Sequence, residues 1–429
     1  MAGNPRETSV VIVGAGFAGA ACAKKLAKHD VHVTLIDRNN YNQFQPMLYQ
    51  FATAQVTSID VARPLRDMFR KHKTVDVKMA EVTGADPDTK TVTSTDGATF
   101  SGDYLVLAMG AQANFFHTPG ADTNAFPLYA LADAQRLRSR IFAVFEDADR
   151  NPKLLDQGAL NFVIVGAGAT GVETAGALAD LINEVMPARF HDLSLNVARI
   201  YVVDPAPVVL APFSDRAHEY AAGALRKKHV ELKLGVKVDN VAADRVALSD
   251  GSEIMTRTVV WAGGIQAAAV AANAGVPQGH GGRVEVNDDL TVKGATRVFA
   301  LGDVANTLDP DGKPFPQLGS VALQAGRWAA KNILADIDGR ERSPFHYRDK
   351  GIMAMIGRNA AVAEMGPRRR ELHGFLAYMS WLGVHAALLD GFRERFDALR
   401  TWGWDYLSKN RAPSIIDRPD AATIDWHDA

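Results

Sequence analysis

Cysteine is nearly absent: Cys22 is the only one among 429 residues. A single thiol cannot make an internal dithiol, so electron transfer through a cysteine pair, and with it disulfide or persulfide reduction, is excluded within this chain. The bland reading of Cys22 is a small buried residue. Long apolar runs are missing too. No stretch reaches the roughly 20 residues needed to cross a bilayer, and the nearest, Gly374 to Leu389, carries Ser380 and His385 and reads as a buried helix. Neither sign of charge dominates. A net charge of −2 with acids and bases interspersed gives no basic footprint, so no nucleic-acid partner is expected. The 12 histidines show no ligand spacing; His29 and His32 merely flank a turn, and no metal site is proposed. Nothing before the first strand has a signal-peptide pattern, which predicts a protein that stays in the cytoplasm.

Glycine, by contrast, is placed with purpose. Gly14-Ala15-Gly16-Phe17-Ala18-Gly19 and Gly166-Ala167-Gly168-Ala169-Thr170-Gly171 are two copies of one loop, about 150 residues apart. Each follows an apolar run, Ser9–Val13 or Asn161–Val165, that reads as a buried parallel strand, and each opens an alanine-rich helix. In such a turn the first glycine bends the chain, the second admits a pyrophosphate to the backbone amides, and the third lets helix and strand pack closely. The helix N-terminus then faces the anion. One loop is weak evidence; two predict two dinucleotides held face to face. The acid that should follow is present in both units. Val31–Ile36 ends at Asp37, a little over 20 residues past its loop, and Ala198–Val203 ends at Asp204, nearly 40 past its own. The longer spacing predicts an insertion around Leu181 to Leu195. A carboxylate at Asp204 accepts bonds from ribose hydroxyls and repels a 2′-phosphate, which predicts NADH over NADPH.

Between the loops, Val75–Met79 and Lys90–Ser94 alternate polar and apolar and suggest an inserted antiparallel ribbon. Asp103–Ala111 returns as a buried strand. Thr118-Pro119-Gly120 reads as a linker into a second domain whose strand Thr258–Ala262 ends at Gly263-Gly264. Re-entry into the first domain is marked by Ala295–Asp303, where Gly302-Asp303 suits an aspartate on a flavin's ribityl chain. Pro316 to Ile333 then reads as a helix whose small first residues let its N-terminus approach an isoalloxazine ring. The fold class expected is α/β, with two Rossmann-like dinucleotide-binding domains, the second inserted in the first. Boundaries are placed at 1–121 and 280–346 for the FAD domain, 122–279 for the NADH domain, and 347–429 for an amphipathic C-terminal region.

In that last region Phe392, Phe396, Leu399, Trp402, Tyr406 and Leu407 share one helical face, while Arg393, Glu394, Asp397, Arg400, Asp405 and Lys409 lie elsewhere. Such a helix suits either a membrane interface or a protein surface. Trp402, Trp404 and Tyr406 are residue types enriched at headgroup depth, with Lys409 and Arg411 available for anionic lipids.

Taken together the chain resembles the type II NADH dehydrogenases, single-subunit, non-pumping NADH:quinone oxidoreductases. The likeness runs nearly the whole length. It covers both loops, Asn40 to Gln50, Ala108-Met109-Gly110-Ala111, Ala300-Leu301-Gly302-Asp303, and the run from Asp349-Lys350-Gly351 through Trp381 and His385. The resemblance implies FAD in the first domain on Gly14, Gly16, Gly19 and Asp37, with Asp303 on the ribityl chain, and NADH in the second on Gly166, Gly168, Gly171 and Asp204. Around these, the cofactor-binding set it implies extends to Phe17, Arg38, Gln45, Val82, Ala108, Gly110, Thr170, Gly263, Gly264 and Ala322. Met109 stands where a threonine is usual.

Glu173 matches a family glutamate beside the nicotinamide and flavin; the simpler alternative is a carboxylate favoured by a helix N-terminus. The family's quinone motif Ala-Gln-x-Ala-x-Gln appears as Gly319-Ser320-Val321-Ala322-Leu323-Gln324, keeping Ala322 and Gln324 but substituting Ser320. The expected catalytic residues are therefore Glu173, Ser320 and Gln324. The implied reaction takes hydride from NADH to FAD and two electrons on to a menaquinone-like quinone, without proton pumping. The resemblance also implies a peripheral position on the inner leaflet, at the cytoplasmic face of the cell membrane, and a homodimer. Ser320 keeps a soluble NADH-dependent flavin reductase with another acceptor open, and an NADH-sensing flavoprotein is a further alternative.

Overall fold

The computed structural model describes residues 8–366, 368–408, 411, 415–416, 424 and 426. They form two compact units. The first contains the described residues of Met1–Gln43, Arg63–Gln112 and Ile265–Arg348; the second contains those of Phe44–Ala62, Ala113–Gly264 and Asp349–Ala429.

In the first unit, five parallel strands lie in the order Val298–Ala300, Tyr104–Leu107, Thr8–Val13, Val31–Asp37, Val75–Met79. Their apolar runs are nearly continuous because both faces are covered. Val10 and Ile12 point into one core with Val33, Leu35, Phe299 and Ile333, while Val11 and Val13 point into another with Leu105, Leu107, Val298 and Ala300. The helices Phe17–Leu26 and Gly319–Ile337 cross over the first of these cores. Small residues permit the approach: a Cβ on Gly326 would overlap the Ala18 carbonyl.

The second unit repeats the plan, with strands Ala125–Pro127, Thr258–Trp261, Asn161–Val165, Arg199–Asp204 and Val230–Leu234 in equivalent order, all parallel. The helix Ala169–Asp180 follows its loop. Where an insertion is expected, that helix runs on through a wide turn at Leu181–Val185 and two short 3₁₀ turns, Met186–Ala188 and Leu195–Val197. A three-stranded antiparallel sheet, Gly351–Gly357, Ala360–Met365 and Arg370–His373, packs against this helix at Gly176, where a Cβ would overlap the Ile356 carbonyl. Two helices follow, Phe375–Leu388 and Phe392–Ser408.

Several expectations need correction. Val75–Met79 is the edge of the parallel sheet, not part of a ribbon. Its alternation arises because Val75 and Val77 face the core while the outer face is solvated. The antiparallel element is instead Val82–Asp86, Thr91–Ser94 and Thr99–Ser101. The helix expected from Pro316 begins at Gly319. Residues 265–279 pack with the first unit, whereas Phe44–Ala62 and everything described from Asp349 onward pack with the second. That grouping rests on long-range bonds, such as Trp402 Nε1 donating to Gln50 Oε1 at 2.9 Å, which no local pattern reveals.

Phe375–Leu388 is not a buried helix. Ala377, Trp381 and His385 are buried, but Phe375, Leu376, Met379 and Leu388 are exposed, because a helix apolar all round leaves one apolar face outside when the other packs. No helix among the described residues is long and apolar enough to cross a membrane.

Candidate functional site

Both glycine loops adopt the same geometry, each within its own unit. Gly14 and Gly166 have φ of +95° and +106°, and their amides bond to the carbonyls of Ile36 and Val203 at 2.7 and 2.8 Å. A side chain at either would run into the strand behind, at the Ala108 or Ala262 carbonyl. At Gly19 and Gly171 a Cβ would overlap the carbonyl of the first loop glycine. Gly16 and Gly168 differ: nothing lies within 4 Å of a Cβ built there. That open space fronts two helix N-termini with no side-chain cap and no acid in the first turn. A dinucleotide's pyrophosphate fits this cradle.

The two acids are also equivalent. Asp37 Oδ2 accepts the Ala15 amide at 2.7 Å and Oδ1 that of Asn39 at 2.8 Å; Asp204 accepts the amides of Ala167 at 2.6 Å and Ala206 at 2.7 Å. Burial raises the Asp37 carboxyl above its ordinary range, against the pull of those amides and of Arg38. Each oxygen keeps a lone pair for a ribose hydroxyl.

Elsewhere in the first unit, Asp303 sits in a short turn whose carbonyl accepts the Gln317 side-chain amide at 2.9 Å. Phe17 packs over the start of the Gly319–Ile337 helix, against Gly319, and Ala322 packs beside Gly302. Gly110 has φ of +72°, and Val82 begins the antiparallel sheet. In the second unit Thr170 is exposed within the loop, in the first turn of the helix it opens, and Gly263 and Gly264 follow Trp261, whose indole donates to the Asn114 carbonyl at 2.7 Å. Gln45 groups with the second unit, where its buried Oε1 has no hydrogen-bond partner among the described residues.

Glu173 lies two residues past the last glycine of the second loop, buried rather than exposed at the helix end. Its Oε1 accepts the Met355 amide and the Trp381 indole N–H, each at 3.1 Å. Burial outweighs both bonds and pushes the carboxyl up to about 8, so it is largely neutral at pH 7. Trp381 stacks on His385, and its ring meets Tyr49 edge-on at 6.2 Å. Burial, then the charge of Glu173, holds the Tyr49 phenol well above its usual range. Gln50 joins this wall by donating to the Tyr49 hydroxyl at 3.1 Å. The arrangement is a buried aromatic cluster around a carboxyl held neutral at pH 7.

Residues 8–326 match the pyridine nucleotide-disulphide oxidoreductase family. The chain is 35% identical over 427 residues to the type II NADH:quinone oxidoreductase Ndh of Mycobacterium tuberculosis, covering 96% of this chain and 91% of that one. The chain belongs to the type II NADH:quinone oxidoreductases. A Staphylococcus saprophyticus member of that family is 31% identical over 366 residues, 82% of this chain and 88% of its own. Among solved structures, NDH2 from Plasmodium falciparum in complex with NADH shares the fold with a TM-score of 0.88 at 18% identity, over 96% of this chain and 100% of that one. The sulfide:quinone oxidoreductase of Aquifex aeolicus has a TM-score of 0.73 at 18% identity, over 94% and 96%. The family's broader name mentions disulphides, but Cys22 is buried with its thiol pushed up to about 12.

Within this type II oxidoreductase the two residues of the quinone motif are already engaged. Ser320 shares a hydrogen bond with the Tyr347 hydroxyl at 2.9 Å. Gln324 donates to the Arg348 carbonyl and accepts the Arg348 amide, both at 3.0 Å. Arg411 is not available to lipid: it is buried, donates to the carbonyls of Thr53 and Ala177 at 2.8 and 3.0 Å, and lies 3.8 Å from Asp405. Lys409 lies outside the described residues. Trp402, expected on the outer apolar face, is buried. Sequence reading assigned no role to Tyr49, Gln50, Met355, Trp381 or His385 around Glu173. Tyr49, Gln50, Trp381 and His385 lie in segments that carry the family resemblance, and only the fold brings them together.

Proposed function

We propose that this chain is an NADH:quinone oxidoreductase that holds FAD on the Gly14–Gly19 loop and binds NADH on the Gly166–Gly171 loop, reducing a menaquinone-like quinone without pumping protons. The observation that carries this reading is the duplicated cradle, open at Gly16 and Gly168 and backed by Asp37 and Asp204, in a chain with one buried cysteine. When bound, FAD supplies the two-electron relay between nicotinamide and quinone. Asp37 takes the FAD ribose hydroxyls and Asp303 the ribityl chain. Asp204 takes those of NADH and repels a 2′-phosphate. Glu173, neutral and dry, holds a proton for the acceptor. Ser320 and Gln324 orient a quinone carbonyl once their bonds to Tyr347 and Arg348 exchange.

The last two helices support attachment to one leaflet, at the cytoplasmic face. Phe392 and Leu407 are 85% and 84% exposed, with Phe396 and Leu399 between them on the same face. Phe375, Leu376 and Met379 of the preceding helix are exposed as well. Apolar surface of this extent calls for a cover, and Arg393 and Arg400 beside the stripe, both within 4.0 Å of Asp397 but largely exposed, can exchange that partner for anionic headgroups. A homodimer is the other proposed cover for this face, a second copy burying the same apolar side chains.

The test is anaerobic stopped-flow: bleach the flavin with one equivalent of NADH, then mix with a short-chain menaquinone analogue. Rapid return of oxidised-flavin absorbance supports the reading. The ties of Gln324 to Arg348 favour a second reading, a reductase with a non-quinone acceptor. Return far slower than flavin reduction, with indifference to lipid, would select it.

A further inference from the structure

The two hydrogen bonds to Glu173 fall on one oxygen. Met355 N and Trp381 Nε1 both donate to Oε1, at 3.1 Å each, and among the described residues none is bonded to Oε2. A backbone amide and an indole N–H are donors only. A neutral carboxyl has one carbonyl oxygen, which accepts, and one hydroxyl, which cannot point its hydrogen at two other hydrogens. We propose that Trp381 is a positioning residue that, with the Met355 amide, commits Glu173 Oε1 to the carbonyl role and so places the transferable proton on Oε2.

The indole is fixed for this task. Trp381 is fully buried and lies flat on His385, with ring centroids 3.7 Å apart and planes 15° from parallel. Tyr49 and Trp402 close on its other sides at 6.2 and 6.1 Å, edge to face. His385 in turn bonds through Nδ1 to the Trp381 carbonyl at 2.8 Å. The titratable groups around this cluster are Tyr49 beside Glu173 and His385 on Trp381, with Tyr378 and then Asp180, at the far end of the Glu173 helix, acting on Tyr49. Both Tyr49 and His385 are held neutral at pH 7, so neither competes for the proton. After transfer, the two donors stabilise the carboxylate through charge-assisted bonds without side-chain movement.

The inference rests on the proposed role of Glu173 as the proton source. NADH, one proton and a quinone give NAD⁺ and quinol. The hydride equivalent comes from NADH, and the remaining proton leaves Oε2 as its O–H bond breaks and an O–H forms on the quinone. The carboxylate left behind takes a proton from water.

The test is infrared spectroscopy of the full-length holoprotein between pH 5 and 9. A protonated-carboxyl C=O band should vanish in Glu173→Gln, titrate near pH 8, and lie at the low frequency of a carbonyl accepting two hydrogen bonds. In Trp381→Phe, which keeps a ring on His385, the band should move to higher frequency and its midpoint should rise by about one pH unit, since a lost donor disfavours the charged form. An unmoved band and midpoint in Trp381→Phe would overturn the proposal. Should that variant lose its flavin, the unsubstituted protein still decides: a band at the frequency of a carbonyl without hydrogen bonds overturns it equally. Stopped-flow reoxidation of Glu173→Gln separates the two claims. Reoxidation by quinone as fast as in the parent, with the infrared results intact, supports the proton's placement and removes the catalytic role of Glu173.

Discussion

The imidazole of His385 lies parallel to the indole of Trp381 at 3.7 Å, with Nδ1 bonded to that residue's own carbonyl. Burial pulls the imidazole down to about 4, against the favourable pull of that bond. The folded state therefore refuses a proton that the unfolded chain accepts below about 6.5. The stability tied to neutral His385 is fully present above 6.5 and is lost as pH falls through 4. His385→Phe keeps the stacking and cannot titrate. It should be less stable than the parent at pH 7 by about 1 kcal/mol for the lost bond, and urea unfolding at pH 7, 5.5 and 4.5 should show that deficit vanish near pH 5.5 and reverse by pH 4.5, because the parent loses about 1.4 kcal/mol per unit below 6.5.

Glu173 runs the opposite way. Its folded-state value of about 8 exceeds the ordinary 4.5, so the folded chain holds a proton the unfolded chain releases. The stability from the neutral acid is complete below 4.5 and disappears as pH rises through 8. Because the group is buried, the loss by pH 8 is on the order of 4 kcal/mol at about 1.4 kcal/mol per unit. Glu173→Gln mimics the neutral acid, so thermal melting at pH 8 should show the variant more stable than the parent, with the gain shrinking toward pH 5.

The loop glycines separate binding from folding. Gly168→Ala puts a methyl into open space: the thermal midpoint should hold, and NADH affinity should fall at least tenfold by titration calorimetry. Gly171→Ala drives a Cβ into the Gly166 carbonyl, so the helix must move off its strand. It should unfold about 3 kcal/mol more easily, in the range of a severe packing clash. Equal effects at the two positions would contradict the assignment of open and closed faces.

Arg411 is a structural charge. Arg411→Ala leaves the half-buried Asp405 beside one fewer cation and two carbonyls without their donor. Breaking such a pair costs about 3–5 kcal/mol. Denaturant unfolding should show this loss, while sedimentation with anionic liposomes changes little where the variant remains folded.

The exposed stripe should behave differently. Replacing Phe392, Phe396, Leu399 and Leu407 together with serine removes four side chains worth roughly 1.5–3 kcal/mol each when fully buried. Even partial insertion predicts at least about a 100-fold loss of liposome binding. Flavin content and melting should stay near those of the parent. Unchanged liposome binding, with a shift from dimer to monomer in analytical ultracentrifugation, would assign the stripe to a second subunit.

Much of this was legible in the chain because its signals are local. The turn at Gly14 needs a positive φ, the third glycine needs room against its own loop, and an acid must end the next strand; all three sit within about 25 residues in the first unit. Even the insertion after Asp180 shows as excess spacing. Less legible was Val75–Met79, where alternation arises equally at a sheet edge and in a ribbon. The helix from Phe375 misleads for a related reason: uniform apolarity does not say which face finds a partner.

Two parallel sheets, two cradles and two carboxylates are thus properties of the sequence itself, since each depends on backbone sterics and periodicity among near neighbours. The state of Glu173 is not. Its neutrality and the choice of the oxygen that carries its proton depend on Met355 and Trp381, 182 and 208 residues away along the chain. The burial of Arg411 likewise required Thr53, Ala177 and Asp405 to converge on it. Desolvation and the direction of a hydrogen bond are set by what surrounds a group in space, and only the tertiary structure decided them.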